Sequence, residues 1–394
     1  MTNKHIFLLS FLVAGNMIGA GILAMPITAG IAGFWPSIFM MVFFSLSMFF
    51  SGIVLAKEVN KKQDDTFNFP SLYEEHFGVF GKWAATLANL IIFYGLLISY
   101  LVGSSKIILI TFKLDPFLEP FVLFIIFSLF TYIAMSSMQI IKKYNTLLMI
   151  FLWIAFFGLV YIGKDSLNIG NFSHTDLKYL PIAIPMIIAA FVFHSIIPTI
   201  CRDAQWSDDI WKPIALGLTM GFVMNTLWLI VAVGVVPEFG HISLNEARLT
   251  GIPITLEMSK ILKSELFLII GTIFAIIAIA TSYVSIGVSL KDFSKDILEN
   301  SLNIYNKWVL FIIAFIPPLV VSYLFADVFL KALDIVGGIG IVLLFGILPT
   351  IIHYRDTRSK LGILVSGIFF IAFSIIFLIT LLQTFGMLHF NPAG

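Results

Sequence analysis

Eleven apolar runs, each long enough to cross a bilayer, leave this chain few ways to fold. They lie at about residues 6–31, 34–56, 83–111, 120–138, 144–162, 180–200, 213–236, 266–290, 308–326, 335–352 and 361–386, with short polar loops between them. About 17 to 25 apolar residues of helix span a hydrocarbon core. Every backbone N–H and C=O in that layer must find its partner inside the protein, which restricts spanning segments to helices or closed barrels. Only 11% of the residues are charged and 59% are hydrophobic, whereas a soluble domain needs about a quarter charged. The expected fold class is an all-α integral membrane protein with about 11 transmembrane helices. The first run follows Lys4 like a signal peptide but continues past Met25 to Ile31, so it reads as a retained helix.

Orientation follows from the basic residues. With the N-terminus cytoplasmic, 15 Lys and Arg lie on the cytoplasmic side against 7 outside, and three of those seven sit in the long 237–264 loop, where the bias counts for little. The N-terminus is therefore expected inside, and an odd number of spans puts the C-terminus outside. The 57–82 connector holds Pro70 to Gly78, a short helix with proline at its start and glycine as its stop. Its Phe69, Tyr73, Phe77 and Phe80 are expected either to rest on the membrane interface or to pack as a connector.

Several function classes drop out. A net charge of +1 with 23 scattered Lys and Arg offers no face to a run of phosphates, which excludes nucleic acid. One cysteine, Cys201, and six histidines (5, 76, 174, 241, 353 and 389) in loops, tails or span ends give no metal constellation, and no cofactor is expected. No glycine-rich phosphate loop supports a nucleotide-driven pump, and no ring of charge supports a channel. His194 and Ser195 are adjacent, but consecutive helical residues point about 100° apart and no buried acid orients the histidine, so an intramembrane enzyme is a distant alternative. No Asp or Glu falls inside a predicted span, and Lys106, near the outer end of the third, is expected to snorkel to the headgroups.

The informative segment is Gly15-Asn-Met-Ile-Gly-Ala-Gly-Ile-Leu-Ala-Met-Pro26. Three glycines, each about 1 kcal/mol poorer than alanine in a helix, and a proline without a backbone donor predict an unwound stretch near mid-membrane. Unwound backbone cannot face lipid, so it lines a cavity or meets a polar ligand. The helix that resumes there aims its N–H groups and positive dipole end into the cavity, which suits a carboxylate. Close packing through the small pair Gly15 and Gly19 is the alternative reading. The sixth span repeats the pattern, with Pro185, Phe191-Val-Phe-His194-Ser195 and Pro198, 172 residues and five spans later. Five is odd, so the second break runs through the membrane upside down. Matched breaks in oppositely oriented halves point to a secondary transporter with inverted repeats and a midplane site. The halves are expected at residues 1–163 and 164–353, with the eleventh span and tail at 354–394.

The run GNMIGAGILAMP, with Ala29-Gly-Ile-Ala-Gly-Phe34 behind it, resembles the bacterial aromatic amino acid permeases, the hydroxy and aromatic branch of the amino acid/polyamine/organocation superfamily. Phe191-Val-Phe-His-Ser-Ile-Ile-Pro198, Ala280-Thr-Ser-Tyr-Val-Ser-Ile-Gly-Val-Ser-Leu-Lys-Asp-Phe293, and Tyr94 with Tyr100 extend the resemblance over about residues 5–386. It implies a leucine-transporter-type fold of five plus five inverted spans and an eleventh, importing an aromatic amino acid with protons across the bacterial inner membrane. Val192 and Ser195 stand where that family usually has glycines, and Asn16 where it often has threonine.

A role follows for each candidate residue. Gly19, Ala20 and Gly21 offer N–H groups to the substrate carboxylate, flanked by Gly15 and Asn16. Carbonyls near Ala190, Phe191 and Val192 receive the ammonium, and Tyr94, Tyr100, Phe191, Phe193 and Tyr283 wall an aromatic pocket. His194, the one histidine deep in a span, is a proton relay, a substrate contact or a satisfied core imidazole. Thr281 and Ser282 either complete a cation site with first-span carbonyls, which leaves sodium open, or bond their own helix. Pro317 and Pro318 kink the ninth span, and Gly337, Gly338 and Gly340 let the tenth pack closely. The expected partners are the amino acid, a coupling cation and the bilayer, with no obligate protein partner evident.

Overall fold

The computed structural model describes residues 1–63, 68–136, 138–302 and 304–388, so His389 lies outside the described residues. Every regular element among them is a helix. Ten helices are long and apolar enough to cross a membrane, and the pair Asn3–Asn16 and Gly21–Ala32, bent by 62°, supplies an eleventh span. The others are Phe34–Lys62, Phe69–Thr111, Pro116–Met135, Leu148–Ser166, Leu177–Asp203, Asp208–Val235, Glu265–Leu298, Lys307–Leu324, Phe329–Asp356 and Lys360–Thr384, which we number 2 to 11. All eleven runs read from the sequence are accounted for.

Hydropathy makes each span a membrane helix, and small residues decide which ones sit in the centre. Spans 6, 7 and 10 are the most enclosed, while 5, 9 and 11 turn more of their surface outward. Without a hydrophobic drive between helices in lipid, close approach depends on residues that lack bulk. Gly337 lies so close to the Pro185 carbonyl of span 6 that a Cβ there would stand 2.0 Å from its oxygen, and Gly340 presses on Ile92 of span 3. Span 10 is wound as a π-helix over Val336–Ile347, a wide coil that is uncommon outside functional sites.

Two tyrosines repair what prolines leave open. Pro317 cannot donate to the Ile313 carbonyl four residues back, and the Tyr94 hydroxyl donates to that oxygen at 2.7 Å. In the π-wound stretch the bond runs five residues, so Pro349 leaves the Leu344 carbonyl open, and the Tyr73 hydroxyl donates to it at 2.5 Å. Both tyrosines belong to one element, Phe69–Thr111. It opens with the connector helix, capped by the Asn68 side chain, and changes direction at Gly78, whose φ of 66° suits glycine. The connector is thus the proline-started, glycine-stopped helix expected, but Phe69 and Tyr73 are buried against span 10 rather than resting on lipid. Phe80 alone of the four is fully turned outward.

The face opposite the N-terminus is closed by a lid. The 237–264 loop folds into two short helices, Leu244–Thr250 and Ile254–Leu262, and Leu244 sits directly on Gly30 in the distal half of span 1. At the C-terminus of that half-helix, the His174 ring nitrogen hydrogen-bonds the Ile31 carbonyl at 3.0 Å. The Asp176 N–H donates to Ala32, also at 3.0 Å. Two ion pairs fasten the lid. Lys106 donates to the Thr250 carbonyl at 2.6 Å and to Asp327 at 2.7 Å, and Arg248 meets Asp334 at 3.5 Å.

These pairs overturn two expectations. Lys106 does not snorkel, because a fixed carboxylate and carbonyl within reach satisfy its charge better than a mobile headgroup. Asp334 falls inside the tenth span, whose helix begins at Phe329 rather than at 335. The lone thiol, Cys201, is buried on span 6 with its sulfur 3.8 Å from the Ala56 carbonyl.

Candidate functional site

The first helix stops at Asn16. Met17 and Ile18 close tightened turns onto the Ala14 and Gly15 carbonyls, each at 3.2 Å. Gly19 is extended, with φ −147° and ψ −151°, and caps the second half, Ala20–Ala32, without a side chain. The leading N–H groups of any helix lack intrahelical partners, so Gly19, Ala20 and Gly21 present donors and the positive dipole end at mid-span.

Gly19 is glycine for want of room. A Cβ there would stand 2.9 Å from the Ser282 hydroxyl oxygen and 3.5 Å from that of Tyr100. Ser282 also donates to the freed Ile18 carbonyl at 3.5 Å.

The sixth span breaks in the same manner. Its first helix, Leu180–Ala190, ends in turns onto Ile188 and Ala189, a single 3₁₀ turn follows over His194–Ile196, and the helix resumes at Ile197 with Pro198 in its first turn. The two breaks meet. A Cβ on Gly21 would lie 3.4 Å from the Ala190 Cα and 3.6 Å from its nitrogen, so the backbones touch there. Beside this contact the Asn16 amide donates to the Ser195 hydroxyl at 3.4 Å. Asn16, Ser195, Ser282, Tyr100 and the loosened backbone carry no formal charge, so peptide dipoles set the local field. Such a place can hold a zwitterion, with N–H groups for its anionic end and carbonyls for its cationic end.

Several candidates point elsewhere. His194 is fully buried and stacked between Phe193 and Phe345, with ring centroids 4.6 and 4.8 Å away. Its Nε2 lies 2.8 Å from the Ser51 hydroxyl on span 2, and its Nδ1 has no partner among the described residues. Phe193 presses on Gly52, so this pair faces spans 2 and 10. Phe191 stacks on Phe222 of span 7, Val192 is half-buried, and Gly15 faces Met149 of span 5. Tyr283 turns to span 4, where its hydroxyl pairs with Thr131 at 2.8 Å, and Tyr94 is held by span 9. Thr281 bonds its own helix at Ile277 and Ala278.

The structure thus gathers Asn16, Gly19, Gly21, Tyr100, Ala190 and Ser282, and adds Ser195 to the set. Asn16 was already a candidate beside the first break, whereas Ser195 was named within the second break, beside His194 and as a departure from the family pattern, and was given no substrate role. Ser51 carried no signal, being one serine among many on an apolar span.

A family model described as the tryptophan/tyrosine permease family matches residues 2–385. The tyrosine-specific transport system 1 of Haemophilus influenzae is 26% identical over 342 residues, covering 83% of this chain and 82% of its own length. Glutamine transporter 2 of Aliivibrio fischeri is 24% identical over 352 residues, covering 87% of this chain and 86% of its own length. Among solved structures, that of MhsT in complex with L-phenylalanine superposes with a TM-score of 0.65 at 15% identity, covering 96% of this chain and 98% of its own. That likeness shows the leucine-transporter-type fold.

Proposed function

Because the chain belongs to the tryptophan/tyrosine permease family, and is therefore a transporter rather than an enzyme, we propose that it imports an aromatic amino acid by cation symport. Tyrosine is the leading substrate, with tryptophan and phenylalanine behind it. The observation that carries this reading is the meeting of the two breaks, Gly21 against Ala190 and Asn16 beside Ser195. The carboxylate takes N–H bonds from Gly19, Ala20 and Gly21, and the ammonium meets carbonyls released around Ala190 to Val192. Tyr100 stands at the side of the pocket. The N-terminal face is cytoplasmic and the lid periplasmic, as the excess of basic residues on the former supports. Residues 1–163 and 164–353 form the two inverted halves, each holding one break.

The coupling ion is a proton in the first reading, with His194 as its carrier: an enclosed imidazole with a free Nδ1 gains from taking a proton only when access changes. His194→Gln then eliminates accumulation driven by a pH gradient while sparing exchange. Sodium is the second reading, favoured by the oxygens of Ile18, Ser282 and Tyr100 around Gly19, since a hard cation prefers carbonyl and hydroxyl ligands. A wider substrate range also has support, because one relative at similar identity is a glutamine transporter.

The test is uptake of radiolabelled tyrosine into proteoliposomes under an imposed pH or sodium gradient, with unlabelled amino acids as competitors. Saturable uptake that tryptophan and phenylalanine suppress and glutamine does not is the expected result. Uptake suppressed by glutamine alone would replace the aromatic reading.

A further inference from the structure

His194 is fully enclosed, yet only one of its two ring nitrogens has a partner. Its Nε2 lies 2.8 Å from the Ser51 hydroxyl of span 2, and its Nδ1 has no hydrogen-bond partner among the described residues. The ring itself is held in place. Phe193 and Phe345 cover its two faces, with interplanar angles of 26° and 19°, so a flip that exchanged the places of its nitrogens would have to part both phenyl rings. Gly52 makes room for the stack, since a Cβ there would stand 2.6 Å from the Phe193 ring.

A neutral imidazole donates from one nitrogen and accepts at the other, and the partner of the first decides the role of the second. Ser51 has a single proton and two acceptors within reach, the His194 Nε2 and the Met48 carbonyl, 3.2 Å away on its own helix. Given to Nε2, that proton makes one hydrogen bond and leaves an N–H buried at Nδ1 without an acceptor. Given to Met48, it frees the Ser51 oxygen to accept from Nε2–H, which makes two hydrogen bonds and leaves only a lone pair at Nδ1. Buried polar groups favour the arrangement with more of them paired.

We propose that Ser51 is the positioning residue of the proton carrier: by accepting from Nε2–H it holds neutral His194 in one tautomer and leaves the Nδ1 lone pair as the place where a proton lands. The inference rests on the proton reading above. Loading forms a bond between Nδ1 and a proton given up by hydronium from the outer face, leaving water, and unloading breaks that bond to water on the inner one. Once loaded, the ring donates to Ser51 as a cation, through a bond about twice as strong as a neutral one, and the phenyl faces turn their negative quadrupoles to the charge. None of the ring's contacts among the described residues carries a formal charge. The nearest titratable groups along the elements around it are Lys57 and Glu58 on span 2, Cys201 on span 6, and Asp334 and His353 on span 10, each six or more residues from those contacts. Tyr73 of the connector is committed to the Leu344 carbonyl. A carboxylate against the ring would keep the proton there; without one, the carrier releases what it takes.

NMR of the full-length protein in lipid nanodiscs, labelled at the histidine nitrogens and with the His194 signals identified by their loss in His194→Gln, reads the tautomer directly. Wild-type His194 is expected to carry its neutral proton on Nε2 alone, and Ser51→Ala to show both tautomers. Uptake of radiolabelled tyrosine driven by a pH gradient gives a second readout. Ser51→Ala is expected to need a more acid outer phase, with its midpoint displaced by about one pH unit, a tenfold loss of proton affinity. A wild-type proton on Nδ1, or a Ser51→Ala pH profile that overlies the wild type, overturns the positioning role and leaves the carrier reading standing. Accumulation that survives His194→Gln overturns the carrier reading and with it the coupling role of Ser51, whatever the tautomer.

Discussion

A Cβ on Gly21 would already rest in van der Waals contact with the Ala190 backbone at 3.4 Å, so a branched side chain there has to displace the second break. Gly21→Leu is therefore expected to abolish tyrosine binding at the central site while the protein inserts and folds normally, which binding and detergent-stability measurements on the same preparation separate. Asn16 and Ser195 join the breaks by a single 3.4 Å bond. A double-mutant cycle of Asn16→Ala and Ser195→Ala is expected to give a coupling of about 0.5 to 1.5 kcal/mol in substrate binding, the usual worth of a neutral hydrogen bond. Additive losses would separate the two residues. The breaks themselves were legible because glycine and proline act on the backbone where they stand. Side-chain directions were not, as residues 281 to 283 demonstrate: Thr281 turns onto its own helix, Ser282 to span 1 and Tyr283 to span 4. Successive positions swing by about 100°, and only the neighbours reveal which of the three meets the break.

Among elements, the long helix Phe69–Thr111 does most to bind the bundle, because its tyrosines take carbonyls that prolines release on spans 9 and 10. Tyr94→Phe leaves the Ile313 oxygen without a donor and is expected to cost about 1 to 3 kcal/mol of stability. Pro317→Ala restores the missing N–H, so the penalty should largely vanish in the double variant. Thermal unfolding of the four proteins in one detergent checks this, and equal losses in both backgrounds would refute the assignment. Tyr94 and Tyr100 looked like one aromatic wall in the sequence because both suit a pocket. Six helical positions turn the chain by about 600°, which places them some 120° apart, and Tyr100 alone of the two reaches Gly19. The π-wound tenth span gave no warning either, since its glycines announce close packing but not the winding that results.

For the whole molecule, the two halves of span 1 differ in their surroundings. The distal half, Ile22 to Ala32, is enclosed by spans 6 and 7 and the lid, while Phe7, Leu8, Phe11 and Leu12 of the proximal half are exposed. Motion is therefore expected in the proximal half, pivoting at Gly19, with the distal half fixed while the lid stays fastened. A cysteine placed at Ser195, an exposed position, should react with thiol reagents added at the N-terminal face. One placed at Ala29, fully enclosed, should react only after Lys106→Met and Arg248→Met release the lid. Reaction at position 29 with the lid intact would contradict the closed state. Span count and the broken pair were readable from residue type, because bilayer thickness imposes one length on every crossing, but several ends were not, as where the tenth span begins at Phe329 rather than at 335. The lid and its fastenings were not, since Lys106 and Asp327 are 221 residues apart and meet only in the folded chain.

The solitary thiol at position 201 gives such experiments an unusual starting point. Walled in beside Ala56, it is shielded from water-borne electrophiles, so the native protein already serves as the blank. Spin probes, fluorophores or cross-linkers installed on either arm of the bend would report from one address each, with nothing else in the described chain to answer them.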